Sequence, residues 1–259
     1  MAKLVASVPI ERPEAPLVVA AIPRLLQRAR ALSFGDGGFL VHDGRRIEGL
    51  HLDAGEHPRV GARYTMVSAI DADQPVKEPV AIELTADDST QFAIRLRQAA
   101  VDGSLAVTRP MDPQQLRVEF RVMLPDIVKL LSGPIDGGAT VAFDGLPPAP
   151  GTAPQVVGTV LHKFARAELV VRIDDQDSRT SLLTASLTVR GRGLLRPVLG
   201  PAAQLFLRSH WQQAVRRVPA ELAKFQQELR NAGGPDELAA ALLQELIDDL
   251  APELPAHSA

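Results

Sequence analysis

The sequence predicts an α+β fold in which an antiparallel sheet is followed by a long helix and a shorter acidic helix. Between Phe39 and Met123, short segments with apolar residues at alternate positions are separated by Gly, Pro, Asp and Ser, which is typical of an antiparallel meander. Two longer segments of the same kind follow between 156 and 193, joined by the turn DDQDS. From Leu199 onward the apolar residues recur at helical spacing instead.

The N-terminal segment predicts one strand and two short helices. Residues 3–11 alternate loosely, and apolar residues then recur at helical spacing between 17 and 29. Pro23 lies inside this helical pattern and is expected to divide it, because proline has no backbone N–H to donate. Further along, the segment GFLVHDGRRIEGLHLD predicts a β-hairpin that turns at Asp43-Gly44.

Two later segments interrupt the β pattern. LPDIVKLLSGP predicts one short helix that ends at Gly133. GLPPAPGTAP, residues 145–154, is a Pro-rich insertion and predicts a loop or linker. The alternation itself is clearest over 92–96 and again over 116–122, so these two segments are expected to be strands of the sheet.

The stretch TVRGRGLLRPVLGP, residues 188–201, marks the change from strand to helix. Gly191 and Gly193 release the chain from strand geometry, while Pro197 and Pro201 suit a turn and the first turn of a helix. Pro219 is expected to kink or restart this helix. Its predicted faces are Phe206, Trp211 and Val215 toward the sheet, and Arg208, Gln212 and Arg216 toward solvent.

Charge is distributed unevenly along the chain. Residues 234–259 carry six acidic residues and neither Lys nor Arg, so the net charge of −3 leaves +3 for residues 1–233. A body this close to neutral predicts no nucleic-acid partner. We therefore expect two units, a domain over 1–233 and an acidic helical tail over 234–259. Residues 235–251 predict a helix that could bind a protein partner or form a homodimer through a stripe of Leu238, Leu242, Leu246 and Leu250.

Composition restricts the chemistry that the chain can support. The absence of cysteine excludes disulfides, thiolate nucleophiles, Fe–S clusters and Cys-ligated zinc. Aromatic residues make up only 4% of the chain, so a pocket is expected to be mostly aliphatic. No uncharged apolar run is long enough to cross a bilayer, and the N-terminus lacks the pattern of a signal peptide. The expected location is the cytoplasm.

The segment RTSLLTASLTVRGRGLLRPVLGPAAQLFLRSHWQQAVRRVPAELAKFQQEL resembles the C-terminal end of the START-like superfamily, also called SRPBCC, of polyketide cyclase/dehydrase-type and lipid-transfer proteins. The resemblance is clearest over 178–230 and elsewhere concerns the order of elements. It implies a helix-grip fold, in which a curved antiparallel sheet wraps around the long C-terminal helix and leaves a hydrophobic cavity between them. An enlarged meander, the Pro-rich insertion and the acidic tail depart from that pattern.

The implied ligand cavity would be lined by Phe206, His210, Trp211 and Val215. His210 could donate to a ligand carbonyl or act as a general base, and it is the one candidate catalytic residue. A lone histidine on an apolar helix face more often packs or lies at the rim, and Trp211 is likewise expected to pack. Arg190, Arg192 and Arg196 flank the hinge and could bind an anionic headgroup, although surface exposure is the favoured interpretation.

A metal site is the alternative interpretation of His51, Asp53 and His57, which could converge across a hairpin turn. The glycines around them favour solvated turns instead. Glu119 and Glu168 each lie between apolar neighbours and could project into a cavity or lie exposed. No GxSxG elbow or phosphate-binding loop is present, and no cofactor is expected.

Three functions are compatible with these features. The leading hypothesis is binding of a lipid or other hydrophobic small molecule in the cavity between the sheet and the C-terminal helix. The second is a cyclase/dehydrase-type enzyme of secondary metabolism that uses His210 for acid–base chemistry. The third is a protein-interaction module that uses the acidic tail helix.

Overall fold

The computed structural model describes residues 1–67, 78–124, 133–143, 155–192 and 196–250. Within these ranges the chain forms thirteen strands and three α-helices. The helices are α1 (Ala15–Arg30), α2 (Arg196–Asn231) and α3 (Pro235–Leu250). The strands are β1 (Ala2–Glu11), β2 (Ser33–Phe34), β3 (Phe39–His42), β4 (Arg45–Ala54), β5 (Arg63–Met66), β6 (Val80–Asp87), β7 (Gln91–Gln98), β8 (Val101–Thr108), β9 (Gln115–Leu124), β10 (Gly133–Ala142), β11 (Val156–His162), β12 (Ala165–Asp175) and β13 (Thr180–Gly191).

All thirteen strands belong to one curved antiparallel sheet. Strands β2 to β13 follow one another as a meander, and β1 pairs with β13 at the far end, so the order is β1-β13-β12 and onward down to β2. The long helix α2 packs against β1 and β13, and the acidic helix α3 follows it. The predicted α+β fold is therefore confirmed.

The hairpin predicted at Asp43-Gly44 is also confirmed. Both turn residues have positive φ angles, 49° for Asp43 and 72° for Gly44. A two-residue turn with two positive φ angles matches the right-handed twist of the flanking strands, and Asp-Gly is a preferred sequence for it. The turn thus sets the pairing of β3 with β4, in which His42 lies opposite Arg45.

The prediction that Pro23 divides the N-terminal helix is wrong. Helix α1 runs without a break from Ala15 to Arg30, with Pro23 inside it. A proline removes one backbone hydrogen bond, but apolar residues on both sides of Pro23 are held in place by other helices. Ala21 packs with α2 and α3, and Leu26 is buried further along α1.

Strand β10 was not predicted. Its sequence, GPIDGGATVA, contains three glycines and one proline, which are depleted in strands, and Gly133 begins the strand where a helix end was expected. Pairing with β9 and β11 on both sides holds it in the sheet nevertheless. The rest of the predicted short helix, 125–132, and the predicted linker at 145–154 lie outside the described residues.

Helix α2 is continuous through Pro219, so the predicted kink or restart is wrong. Apolar side chains on both sides of Pro219 anchor the helix, because Val215 is buried and Leu222 packs in the same cluster on β1 and β13. The predicted faces are found where side chains are described. Trp211 also packs in this cluster, while Arg208, Gln212 and Arg216 are exposed.

Helix α3 packs against α1 and β4, and it buries a different stripe from the one predicted. The buried residues are Leu238, Ala239, Leu243, Ile247 and Leu250, whereas Leu242 and Leu246 are exposed. The predicted stripe of Leu238, Leu242, Leu246 and Leu250 advanced by four residues throughout and ignored Ile247, although a helix turns in 3.6 residues. An interaction with another protein or a second copy through 235–251 stays a prediction, with Leu242 and Leu246 as its available apolar side chains.

A search of the described helices for membrane spans finds no helix that is long and apolar enough to cross a bilayer.

Candidate functional site

The two faces of the sheet differ in chemistry across eight neighbouring strands, β7 to β13 and β1. Residues paired across antiparallel strands point to the same face, so the strand register identifies the rows of side chains on each face. Three consecutive rows on one face contain only apolar residues and glycine. These rows are Leu96, Gly103, Phe120, Gly137, Val160, Ala167, Val189 and Ala2; Ile94, Leu105, Val118, Ala139, Gly158, Leu169, Leu187 and Leu4; and Phe92, Val107, Leu116, Val141, Val156, Val171, Ala185 and Ala6.

The opposite face of the same strands, called the charged face, carries ion pairs and polar residues next to some apolar ones. Ion pairs link neighbouring strands or alternate residues of one strand, and they comprise Arg95–Asp102, Arg117–Glu119, Arg121–Asp136 and Arg166–Glu168. The hydrogen bonds from Arg95 lower the pKa of Asp102. Both side chains are exposed, so solvent screens the attraction between them. Such pairs add little stability, but they mark this face as the one in contact with water. The other face, defined by the three rows above, is called the apolar face.

Among the described side chains, helices contact the apolar face near its two ends, and α1 also packs against α2 through Ala21 and Leu229. At one end, α2 packs on β1, β12 and β13 through Trp211, Val215 and their neighbours. At the other end, α1 reaches β6, where Arg30 forms an ion pair with Asp87. In the strands between, Val118 is 36% exposed and Val160 is 40% exposed. The apolar face therefore forms a trough between α1 and α2.

Small residues form the floor of this trough. A Cβ atom on Gly137 would lie 2.2 Å from Cζ of Phe120, so the absence of a side chain lets the Phe120 ring lie flat across the sheet. A Cβ atom on Gly158 would make only ordinary contact, 3.7 Å from Cβ of Leu169. Ala139 pairs with Gly158, so the side chains at the centre of the apolar face are small and leave room above the sheet.

A cavity of about 150 Å³ lies where the apolar face meets the end of α1. Ile94 and Phe92 of the apolar face contribute to its wall, together with Leu26 of α1. Its wall also includes His57 and Tyr64, whose Nδ1 and hydroxyl oxygen are 2.7 Å apart, and the paired Arg30 and Asp87. We call this space the α1 cavity. His57 and Tyr64 form a potential acid–base pair in a mostly apolar wall.

Burial shifts both members of that pair toward their neutral forms. It lowers the pKa of His57, although the carbonyl groups of Ala29 and Arg30 at the end of α1 act in the opposite direction. It raises the pKa of Tyr64. The Nε2 atom of His57 is buried and has no hydrogen-bond partner among the residues that the structure describes. A neutral imidazole and a neutral phenol are therefore the forms that the α1 cavity favours.

The lowered pKa of His57 predicts a loss of stability in mild acid. Unfolded His57 takes up a proton near its ordinary pKa of 6.5, whereas the folded protein takes up that proton only at lower pH. The contribution of His57 is therefore fully present above pH 6.5 and decreases as the pH falls below that value. Urea melts between about pH 8 and pH 5 should show a shallower decrease in the free energy of unfolding for His57→Gln than for the wild type.

Tyr64→Phe is the control for this effect. It removes the hydroxyl group but leaves the imidazole buried, and burial is the main cause of the lowered pKa. Its pH dependence should therefore follow the wild type. Equal slopes for the wild type and His57→Gln would contradict the assignment.

The four residues predicted to line a ligand cavity on the long helix do not share one environment. The side chain of Phe206 is outside the described part of the chain, and His210 is exposed. Val215 is buried and Trp211 is half-buried, and both pack directly on the sheet. Because His210 is exposed, the catalytic role predicted for it loses its main structural basis. A ligand role for these residues stays a prediction, and the geometry supports packing for Trp211 and Val215.

His51, Asp53 and His57 do not come together as a metal site. His51 Nδ1 is 2.7 Å from Asp53 Oδ1, and its Nε2 is 2.6 Å from the carbonyl oxygen of Gly37, so both ring nitrogens are engaged. The Asp53 carboxylate raises the pKa of His51, with further support from the Gly37 carbonyl. His57 instead contacts Tyr64 in the α1 cavity. The described ranges contain no group of three His, Asp or Glu side chains placed to hold a metal ion.

The other polar candidates lie on the charged face or at its border. Glu119 and Glu168 form ion pairs with arginines on that face, so neither projects into the trough. Arg190 and Arg192 are exposed at the end of β13. The side chain of Arg196 is outside the described part of the chain.

Sequence reasoning did not find the apolar face as a site, although its signal was present. Alternation was recognised strand by strand, but a continuous face appears only when the register between strands is known. The His57–Tyr64 pair had no local signal, because seven residues separate its members and the β-hairpin geometry between β4 and β5 brings them together.

Comparisons with known proteins add little to this geometry. No protein-family model and no curated protein matches the chain. One solved structure with detectable similarity is the crystal structure of the di-domain ARO/CYC StfQ from the steffimycin biosynthetic pathway. It shares 11% sequence identity and has a TM-score of 0.27, with 88% of this chain and 99% of that chain covered. A TM-score this low carries no conclusion about fold or activity, so membership of the START-like superfamily stays a prediction.

Proposed function

We propose that this protein binds a lipid or another hydrophobic small molecule in the trough on its apolar face. The observation that carries the proposal is the set of three rows without a polar side chain, which stay partly exposed between α1 and α2. Exposed apolar surface of this extent usually marks a binding site, because leaving it in water costs free energy. A bound apolar molecule would remove that cost.

The shape of the trough favours a small molecule over a second protein. Both helices stand on the apolar side of the sheet, so a bulky partner meets α1 and α2 before it reaches the floor. The floor at Ala139 and Gly158 leaves room above it but offers no long side chains for interdigitation. A chain or flat ring system can lie on such a floor and gain contact along its whole length.

Filling the floor should block binding without unfolding the protein. Gly158→Leu adds a side chain where a Cβ atom meets only an ordinary contact, so the fold should tolerate it. We expect the affinity for cis-parinaric acid, a fluorescent long-chain fatty acid, to fall about tenfold or more because the added side chain occupies the ligand's place. Fluorescence titration of the purified protein measures this change.

Thr159→Leu is the matched control, because the neighbouring residue points to the charged face. It adds the same side chain on the other side of the sheet and should leave the affinity unchanged. Native mass spectrometry of gently purified wild type should also show a bound apolar molecule. If no bound molecule is found and the wild type binds no fatty acid, the proposed function is wrong.

A second candidate function is an enzyme of the cyclase/dehydrase type. The observation that favours it is the His57–Tyr64 pair in the α1 cavity, which continues from the apolar face. A neutral imidazole next to a phenol could remove a proton and return it to a substrate held on the trough. Turnover of β-keto thioesters by the wild type, lost in both His57→Gln and Tyr64→Phe, would support this candidate; absence of turnover would leave the binding function alone.

A further inference from the structure

His162 lies on the apolar face, at one end of the trough. It is the last residue of β11, two residues after Val160, and alternate residues of a strand point to the same face. Its pairing partner across the β11–β12 turn is Ala165, so its neighbours on this face are apolar. It is thus a polar group at the edge of a surface that otherwise has none.

The Nε2 atom of His162 is buried and has no hydrogen-bond partner in the described ranges of the chain. The ring packs against Phe164, with 5.5 Å between the two ring centroids, so its orientation is fixed from one side. A buried polar atom without a partner is uncommon in folded proteins, since it loses its hydrogen bond to water and gains none. A ligand atom at the end of the trough would supply the missing partner.

Lys163 is the basic residue next to His162. Its Nζ lies 5.0 Å from the centre of the Phe164 ring, and it forms no ion pair with a described residue. Arg190 belongs to the charged face, because it pairs with Arg166 across β12 and β13. The positive charge of Lys163 beside an unpartnered ring nitrogen favours an anion at this position.

We propose that His162 binds the carboxylate of a long-chain fatty acid, whose hydrocarbon chain lies along the trough toward the α1 cavity. From β11 to β7 the trough crosses four strand spacings, or roughly 19 Å, a length that suits an extended fatty-acid chain. The inference rests on the proposed function, and it adds the chemical class of the ligand and its direction. The ring nitrogen donates to a carboxylate oxygen, and Lys163 provides a positive charge next to it.

The test compares a fatty acid with its methyl ester. Palmitoleate and methyl palmitoleate each displace cis-parinaric acid from the wild type, from His162→Leu and from a control, His210→Leu. His210 is an exposed histidine of α2 outside the trough. The wild type should bind the acid about tenfold or more tightly than the ester, because a hydrogen bond to a charged group is at stake. His162→Leu should weaken binding of the acid alone and so abolish that preference, while His210→Leu keeps it.

The outcomes distinguish two failures: that of the proposed contact between His162 and a carboxylate, which we call the anchor, and that of ligand binding in the trough. Equal affinity of the wild type for acid and ester overturns the anchor and leaves the proposed function intact, and this comparison requires no variant. Equal weakening of both ligands in His162→Leu means that the imidazole only packs, which also overturns the anchor. Failure of the wild type to bind either ligand overturns the proposed function itself. Where His162→Leu does not fold, His162→Phe retains a ring against Phe164 and should show the same loss of preference.

Discussion

Replacing Leu40 with alanine should lower the free energy of unfolding by about 2–5 kcal/mol. Leu40 is fully buried, and it packs with Ile47 of β4 and with Leu243, Ile247 and Leu250 of α3. The substitution removes the central side chain of this cluster, and the strand and helix backbones around it cannot close the cavity. Urea-induced unfolding, followed by circular dichroism, measures the loss.

Leu246→Ala is the matched control for that experiment. Leu246 belongs to α3 as well, but its side chain is 47% exposed and lies outside the buried cluster. The same chemical change should therefore alter the free energy of unfolding by no more than about 0.5 kcal/mol. A larger loss for Leu246→Ala than for Leu40→Ala would mean that α3 presents its other face to the body of the protein.

Trp211→Ala should cost about 3 kcal/mol of stability. The indole packs with Val215 and Leu222 against the β1–β13 end of the sheet, but it is only half-buried, which places the cost at the lower end of values for tryptophan. Its Nε1–H group is buried without an acceptor among the described residues, so no hydrogen bond is lost with it. Thermal and urea melts measure the change.

Arg216→Ala tests the opposite face of the same helix. Arg216 is exposed and forms no ion pair with a described residue, so its removal should change stability by no more than about 0.5 kcal/mol. Fatty-acid titration of both variants separates packing from ligand contact. A Trp211→Ala variant with normal stability and reduced affinity would show that the indole lines the trough and is not part of the core.

The local elements of this fold could be predicted because their signals are local. Alternation over 92–96 and 116–122 and the Asp43-Gly44 turn each specify a backbone geometry within a few residues. The change from strand to helix after Gly191 was predicted from a local signal of the same kind, the glycines and prolines of residues 188–201. These signals identify the α+β class and the antiparallel meander without any knowledge of long-range contacts.

The errors arose where tertiary contacts override local preference. Pro23 and Pro219 interrupt a hydrogen bond each, yet α1 and α2 continue because packed side chains on both sides hold them in place. Strand β10 survives its glycines because it is paired on both edges. On α3, the choice between Leu246 and Ile247 depends on which side meets α1 and β4, which helical spacing alone does not specify.

The candidate site was less predictable than the fold. Attention to rare residue types favoured His210 and Trp211, but the trough consists of common aliphatic residues and glycine. Its recognition requires the register of eight strands. The sequence predicted His57 only as a possible metal ligand and predicted no role for His162. The ring nitrogens of both lack partners among the described residues, a property that depends on three-dimensional contacts.

The pairing of β1 with β13 has a consequence for how the chain reaches this fold. Each strand from β2 to β13 finds its partner next to it in the sequence, whereas the Ser7–Thr184 hydrogen bond between β1 and β13 joins residues separated by 177 positions. Contacts this distant form late, since a long loop must close before they add stability. During synthesis, β1 is made first and must wait for almost the whole meander. Pairing of β1 with β13 is therefore expected to be the slow step of folding. Until it occurs, β13 is an unpaired edge strand, and the partly folded chain is prone to aggregate through it.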